Sequence, residues 1–77
     1  MDDTTVFGRS GVLRSATYDR QNETLLVRLE HKTNWLYTDV PIVVYRGLIS
    51  AKSAGAYYNM MIKGKYNVIA VEKEQIQ

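Results

Sequence analysis

The sequence predicts an α+β domain, an antiparallel β-meander of three to five strands packed against two short helices. Three observations point there. Leu25, Val27 and Leu29 alternate with Leu26, Arg28 and Glu30, the period-two signature of a half-buried strand. Short polar connections, Arg20-Gln21-Asn22-Glu23 and His31-Lys32-Thr33-Asn34, flank that run as hairpin turns do. Further along, Pro41 and Ser53 each precede a segment whose apolar residues follow helical rather than alternating spacing.

Val6 and Phe7 are expected to begin a short first strand before Gly8. From Val12 to Asp19 the chain reads VLRSATYD, a strand with Val12, Ala16 and Tyr18 on one phase and Leu13, Ser15 and Thr17 on the other. In TLLVRLE, Leu25, Val27 and Leu29 face the core. The run NWLYTDV is rich in aromatic and β-branched residues and supplies the third strand of the meander. Val40-Pro41 ends it, because proline has no N–H for the ladder and suits the first turn of a helix.

That helix, Pro41 to Ala51, places Val44, Leu48 and Ala51 on one face with Tyr45 and Ile49 beside them; Gly47 weakens it without breaking it. Ser53 is the N-cap of a second helix, AGAYYNMMIK, whose hydroxyl accepts from the free N–H groups of the first turn. Ala54, Tyr58, Met61 and Ile62 form its apolar face, Tyr57 points more outward than Tyr58, and Gly64 closes it in the left-handed conformation. The run Asn67 to Val71 reads as a last strand that completes the sheet or pairs with a neighbouring molecule, or else as a tail packed on the helices.

Residues 1–77 read as one domain, with no repeat, low-complexity tract or linker. There are no cysteines, so neither disulfides nor thiolate metal sites reinforce the core. The segment MDDTTVFGRS lacks an apolar run, and no stretch approaches the ~20 apolar residues of a membrane span. A soluble, cytoplasmic protein without a membrane partner is expected.

Net charge is +2, unevenly distributed. Residues 41–66 hold Arg46, Lys52, Lys63 and Lys65 and no acid, together with Tyr45, Tyr57, Tyr58 and Tyr66. That block is either a basic, aromatic binding surface or a set of core tyrosines beside solvated lysines, and composition leaves both open. Ser53-x-Gly55 opens a helix, where free N–H groups favour a phosphate or carboxylate, and Lys52 adjoins it. Arg46, Lys63 and Lys65 add charge, tyrosine rings stack on bases, and Asn59 can read a base edge. Arg46, Lys52, Ser53, Tyr57, Asn59, Lys63, Lys65 and Tyr66 are therefore the candidate ligand contacts, with Tyr57, Asn59 and Tyr66 foremost.

Catalysis has no comparable support. His31 is the sole histidine and lies in a polar turn, without a partner nucleophile or metal-ligand spacing. Glu30 and Asp39 read as surface charge, and Gly8-Arg9-Ser10-Gly11 leads into a strand rather than a phosphate-binding helix. No catalytic residue, metal ligand or cofactor is assigned. The alternative to a nucleotide or nucleic-acid binder is a protein-interaction module docking through exposed Trp35, Tyr37 and Met60. For either, a homo-oligomer is expected, built through an edge strand such as Val68–Val71 or through helix faces.

The order and spacing of these residues resemble the KTSC domain, a short module named for its occurrence at the C-terminus of some lysyl-tRNA synthetases. The resemblance rests on Ser10, Val12, Tyr18-Asp19, Leu25-Leu26-Val27, Trp35-Leu36-Tyr37, Val40-Pro41, Tyr45 and Leu48. It continues in Ser53-Ala54-Gly55, Tyr57-Tyr58-Asn59 and Ile62-Lys63-Gly64-Lys65-Tyr66, covering about residues 10–66. Asn34-Trp35 stands where the family often has a glycine-containing turn, which bears on the hairpin geometry. The family occurs in bacterial and phage proteins, often free-standing. Its attachment to a synthetase implies RNA as a ligand, and its phage occurrence implies a host-directed inhibitor, decoy or sponge for a nucleotide signal.

Overall fold

The computed structural model describes residues 2–7, 13–30 and 33–71. The readings made above for Gly8 to Val12 and for His31 and Lys32 lie outside the described residues. Five strands form one antiparallel sheet in sequential order: β1 (Asp2–Val6), β2 (Leu13–Asp19), β3 (Thr24–Leu29), β4 (Asn34–Tyr37) and β5 (Val68–Val71). Helices α1 (Ile42–Ser50) and α2 (Ala54–Tyr57) lie between β4 and β5 in sequence, and α2 runs on into a single π-helical turn, Tyr58–Ile62. This is the expected meander with two short helices, at its five-strand limit.

The sheet is polarised by its side chains. Tyr18 pairs with Leu25, Leu25 with Tyr37, Ala16 with Val27 and Val27 with Trp35, so these residues share the helix-covered face. Leu25 and Val27 are completely buried, each burial being worth about 1.5–3 kcal/mol relative to exposure. The phase expected for Leu25, Val27 and Leu29 is the observed one.

β2 departs from simple alternation. Leu13 pairs with Leu29 and Ser15 with Arg28, so one extra residue is accommodated between them as a β-bulge. The bulge moves Leu13 off the phase of Ser15 and Thr17 and into the core with Ala16 and Tyr18. Period-two reading of the sequence had kept Leu13 with Ser15 and Thr17.

The first strand is Asp2–Val6 rather than a segment starting at Val6, and β5 pairs with β4 inside the same molecule. The third strand stops at Tyr37 instead of running to Val40, because Asp39 takes a left-handed φ of 58° and turns the chain. Val40 is nonetheless fully buried, its N–H donating to Glu23 C=O at 2.8 Å and its C=O accepting from Tyr18 Oη at 2.7 Å. Tyr18 also stacks on Tyr45 of α1, with ring centroids 5.4 Å apart. Tyr45 Oη in turn meets Thr5 Oγ1 at 2.8 Å, fastening α1 to β1 and β2.

Asn34 settles the β3–β4 hairpin. It is buried, and its Oδ1 accepts from Leu29 N–H at 3.2 Å across the connection. A side chain thus supplies the acceptor for a buried backbone donor that would otherwise cost free energy.

Pro41 caps α1, and the helix buries Tyr45 and Leu48 while Ile49 faces solvent. Gly47 is the contact point with α2: a Cβ there would lie 2.6 Å from Tyr57 Cζ and 2.9 Å from Cε2. Ser53 caps α2 as expected, accepting from Ala56 N–H at 3.2 Å. The π-turn closes with Lys63 N–H donating to Tyr58 C=O at 2.9 Å. Its wider winding buries Tyr58 and Ile62 but leaves Met61 exposed, contrary to α-helical spacing. Gly64 then takes φ 78°.

Candidate functional site

Among the described residues, two concavities adjoin the turn at Gly64. The larger, about 700 Å³, is bounded below by Leu13, Leu29, Trp35, Tyr37 and Val68 from four strands, and above by Gly55, Tyr58, Asn59, Lys63 and Gly64. The smaller, about 320 Å³, is open and polar, lined by Thr38, Asp39, Gly64, Lys65, Tyr66 and Asn67. Gly64 belongs to both, so the two meet at a turn without a side chain.

The larger cavity owes its shape to the π-turn. Tyr58 and Ile62 point into the core, which leaves Asn59 and Lys63, also four residues apart, exposed at the cavity's edge. Its lining is aromatic. Tyr37 and Tyr58 cross edge to face with centroids 6.0 Å apart, and their hydroxyls share a hydrogen bond of 2.6 Å. Burial, followed by that hydrogen bond, holds the Tyr37 phenol well above its ordinary pKa, so it stays neutral in the physiological range.

The structure divides the predicted ligand residues. Asn59 and Lys63 come together on the larger cavity, with Trp35 and Tyr37. Lys65 and Tyr66 line the smaller one. Arg46, Lys52 and Ser53 line neither; Arg46 and Lys52 are exposed on the helix side, and the Ser53 hydroxyl is engaged as the N-cap. Tyr57 also lines neither, its ring lying half-buried against Gly47. Ser53 and Gly55 head a helical segment that keeps α-helical winding for only four residues, Ala54–Tyr57, before the π-turn, rather than throughout AGAYYNMMIK.

Among the residues considered for protein docking, Met60 is 70% exposed and Trp35 is half-buried. Tyr37 is only 3% exposed, so it cannot serve as the exposed anchor expected of it. A strand residue pointing inward beneath a helix has its hydroxyl spent on Tyr58. Sequence reasoning missed Gly55, Tyr58 and Gly64 as cavity-lining positions; the glycines were visible, but their convergence depends on the π-turn.

Among the described residues, no group of three or more His, Cys, Asp or Glu side chains could hold a metal ion, and no helix is long and apolar enough to cross a membrane.

The KTSC domain family model matches residues 9–66. The chain belongs to the KTSC domain family. The match takes in the bulged β2, both helices, the π-turn and every residue named on the larger cavity except Val68. A protein of Tsukamurella paurometabola is 29% identical over 62 residues, which is 80% of this chain and 92% of that one. The crystal structure of a KTSC domain protein from Yersinia pestis shares the fold with a TM-score of 0.85 at 24% identity, covering 92% of this chain and 99% of that chain. Gly55, Tyr58, Asn59, Lys63 and Gly64, five residues of the segments on which the KTSC resemblance rests, thus line one concave surface.

Proposed function

We propose that this KTSC domain is a small, non-enzymatic binding module for a phosphate-bearing ligand, a nucleotide or nucleic acid, held at the larger cavity. One observation carries this reading: an amide and an ammonium, Asn59 and Lys63, flank an apolar, aromatic concavity of about 700 Å³. Such a pairing of apolar walls with few convergent polar groups is the usual form of a small-ligand site. A planar base fits against Trp35, Asn59 offers both a donor and an acceptor to its edge, and Lys63 neutralises a phosphate. Lys65 and Tyr66, across Gly64, extend the same chemistry to a second unit of a longer ligand. In a phage setting, the same module would sequester a host nucleotide signal.

The test is thermal melting of the purified chain against mononucleotides, linear and cyclic oligonucleotides and short RNA. A ligand at 100 times its Kd stabilises by about 2.7 kcal/mol, a rise of about 10–20 °C for a domain of this size. Lys63→Ala, at an exposed position, should leave the unliganded melting temperature unchanged and abolish the shift. No shift with any phosphate-bearing class would overturn the reading.

A second reading rests on Met60 and Met61, exposed side by side on the π-turn. Methionines adapt to varied apolar surfaces, so this ridge fits a protein partner. Met60→Glu should then abolish partner binding while leaving any nucleotide-induced melting shift intact.

A further inference from the structure

The meander leaves two strands at its edges, β1 and β5, and they differ in chemistry. β1 reads DDTTV, and Asp3 pairs with Arg20 at 2.8 Å. Charged residues protect an edge against further strand pairing. β5 reads VIAV, with no charge, proline or bulge along its pairing with β4. Val68 is 44% and Ile69 55% exposed. We propose that β5 is the interface through which a second copy of this chain pairs, joining two sheets about a two-fold axis.

The register follows from the hydrogen bonds. Thr38 N–H donates to Asn67 C=O at 3.0 Å, so these opposed residues form a hydrogen-bonded pair. Such pairs alternate along an antiparallel ladder, which assigns Ile69 and Val71 to bonding with β4. The N–H and C=O groups of Val68 and Ala70 therefore point outward.

A two-fold axis perpendicular to the sheet keeps the helix faces of both copies on one side. That symmetry allows only residues of the same face to oppose each other. With the axis through Ile69, Val68 meets Ala70 of the second copy, and the outward donors and acceptors of both are matched. Ile69 faces its own counterpart as a non-hydrogen-bonded pair. On the face opposite the helices, Ile69 continues a row with Leu36 and Leu26. Pairing makes that apolar row continuous across the axis.

Two consequences favour a second copy over an unrelated extended segment. The strand is self-complementary in both hydrogen bonding and side chains, without any charge to select a different partner. The interface is also closed, because pairing consumes both β5 edges and leaves only the charged β1 edges, so growth stops at two. Val68 lines the larger cavity, so the second copy's Ala70 beside it extends that wall. Self-association does not depend on the identity of any ligand and is tested without one.

Sedimentation of the full chain from micromolar to millimolar concentration should give twice the 8.8 kDa chain mass. Ile69→Lys places like charges directly opposite one another and should weaken association about tenfold or more, while Val6→Lys on the other edge should not. Both positions are exposed, and circular dichroism melts confirm that each variant is folded. The chain contains no cysteine, so Ile69→Cys supplies a single probe. A non-hydrogen-bonded pair sets Cα atoms about 4.5 Å apart, within disulfide reach, and Ile69→Cys should oxidise to a covalent dimer where Val6→Cys does not. A monomer throughout the range overturns the proposal and leaves the edge to an extended segment of another protein. A dimer that survives Ile69→Lys, or that leaves Ile69→Cys reduced, overturns it in favour of another surface.

Discussion

Gly47→Ala opposes two effects whose sizes are known. In a helix interior, alanine is favoured over glycine by about 1 kcal/mol. Here the added methyl would lie 2.6 Å from Tyr57 Cζ and 2.9 Å from Cε2, well inside van der Waals contact, so the ring must leave its seat on α1. Overpacking of that kind costs about 1–3 kcal/mol. The net change should fall between nearly neutral and about 2 kcal/mol destabilising. Removing the ring separates the terms: in a Tyr57→Ala background, Gly47→Ala should stabilise by the full ~1 kcal/mol. Urea unfolding of the four chains gives the coupling energy directly, expected at about 1–3 kcal/mol. If Gly47→Ala stabilises both backgrounds equally, Tyr57 does not pack on Gly47 and the α1–α2 contact described above is wrong.

Tyr37→Phe or Tyr58→Phe should each cost about 1–3 kcal/mol, because the remaining buried hydroxyl loses its partner, while the double variant should cost less than the sum. Additive single losses in urea unfolding would contradict the shared hydrogen bond. Because the folded chain holds Tyr37 protonated above its unfolded value, stability is complete below about pH 10 and falls as the unfolded chain ionises first. Unfolding midpoints between about pH 9 and about pH 11 should fall, and less steeply in Tyr37→Phe. Asn34→Leu strips the acceptor from Leu29 N–H and should cost about 1–3 kcal/mol. Hydrogen exchange should show that amide losing protection while those of Leu25 and Val27 keep theirs.

Much of the fold was legible because burial and local chemistry agree. Leu25, Val27 and Leu29 alternate between two polar turns, Pro41 and Ser53 stand where helices begin, and Gly64 stands where one ends. β1 was only half visible, since Asp2 and Asp3 have little strand propensity and are held by pairing with β2. The bulge at Leu13 and the π-turn each insert one residue into a regular period, so periodicity misplaced Leu13 and Met61. The site was legible in composition but not in grouping. Asn59 and Lys63 lie on one face of one turn, whereas Tyr57 sits two residues away on a face claimed by Gly47. Tyr37 belongs to the core because the fold turns its strand face beneath Tyr58 of the π-turn, which no property of a tyrosine announces.

The π-turn makes the numbering of this surface sensitive to chain length as well as to residue type. A substitution at exposed Met60 alters one side chain. Deleting that residue instead brings Lys63 to four places after Tyr58, so the bond from Lys63 N–H to Tyr58 C=O closes as an ordinary α-helical one and the chain beyond it keeps its course. What changes is the turn itself, where Lys63 stands three places after Asn59 rather than four, and Ile62 three places after Tyr58. The extra residue thus sets the spacing between the amide and the ammonium at the cavity's edge, and a change of one residue in length alters that spacing without moving the strand that follows.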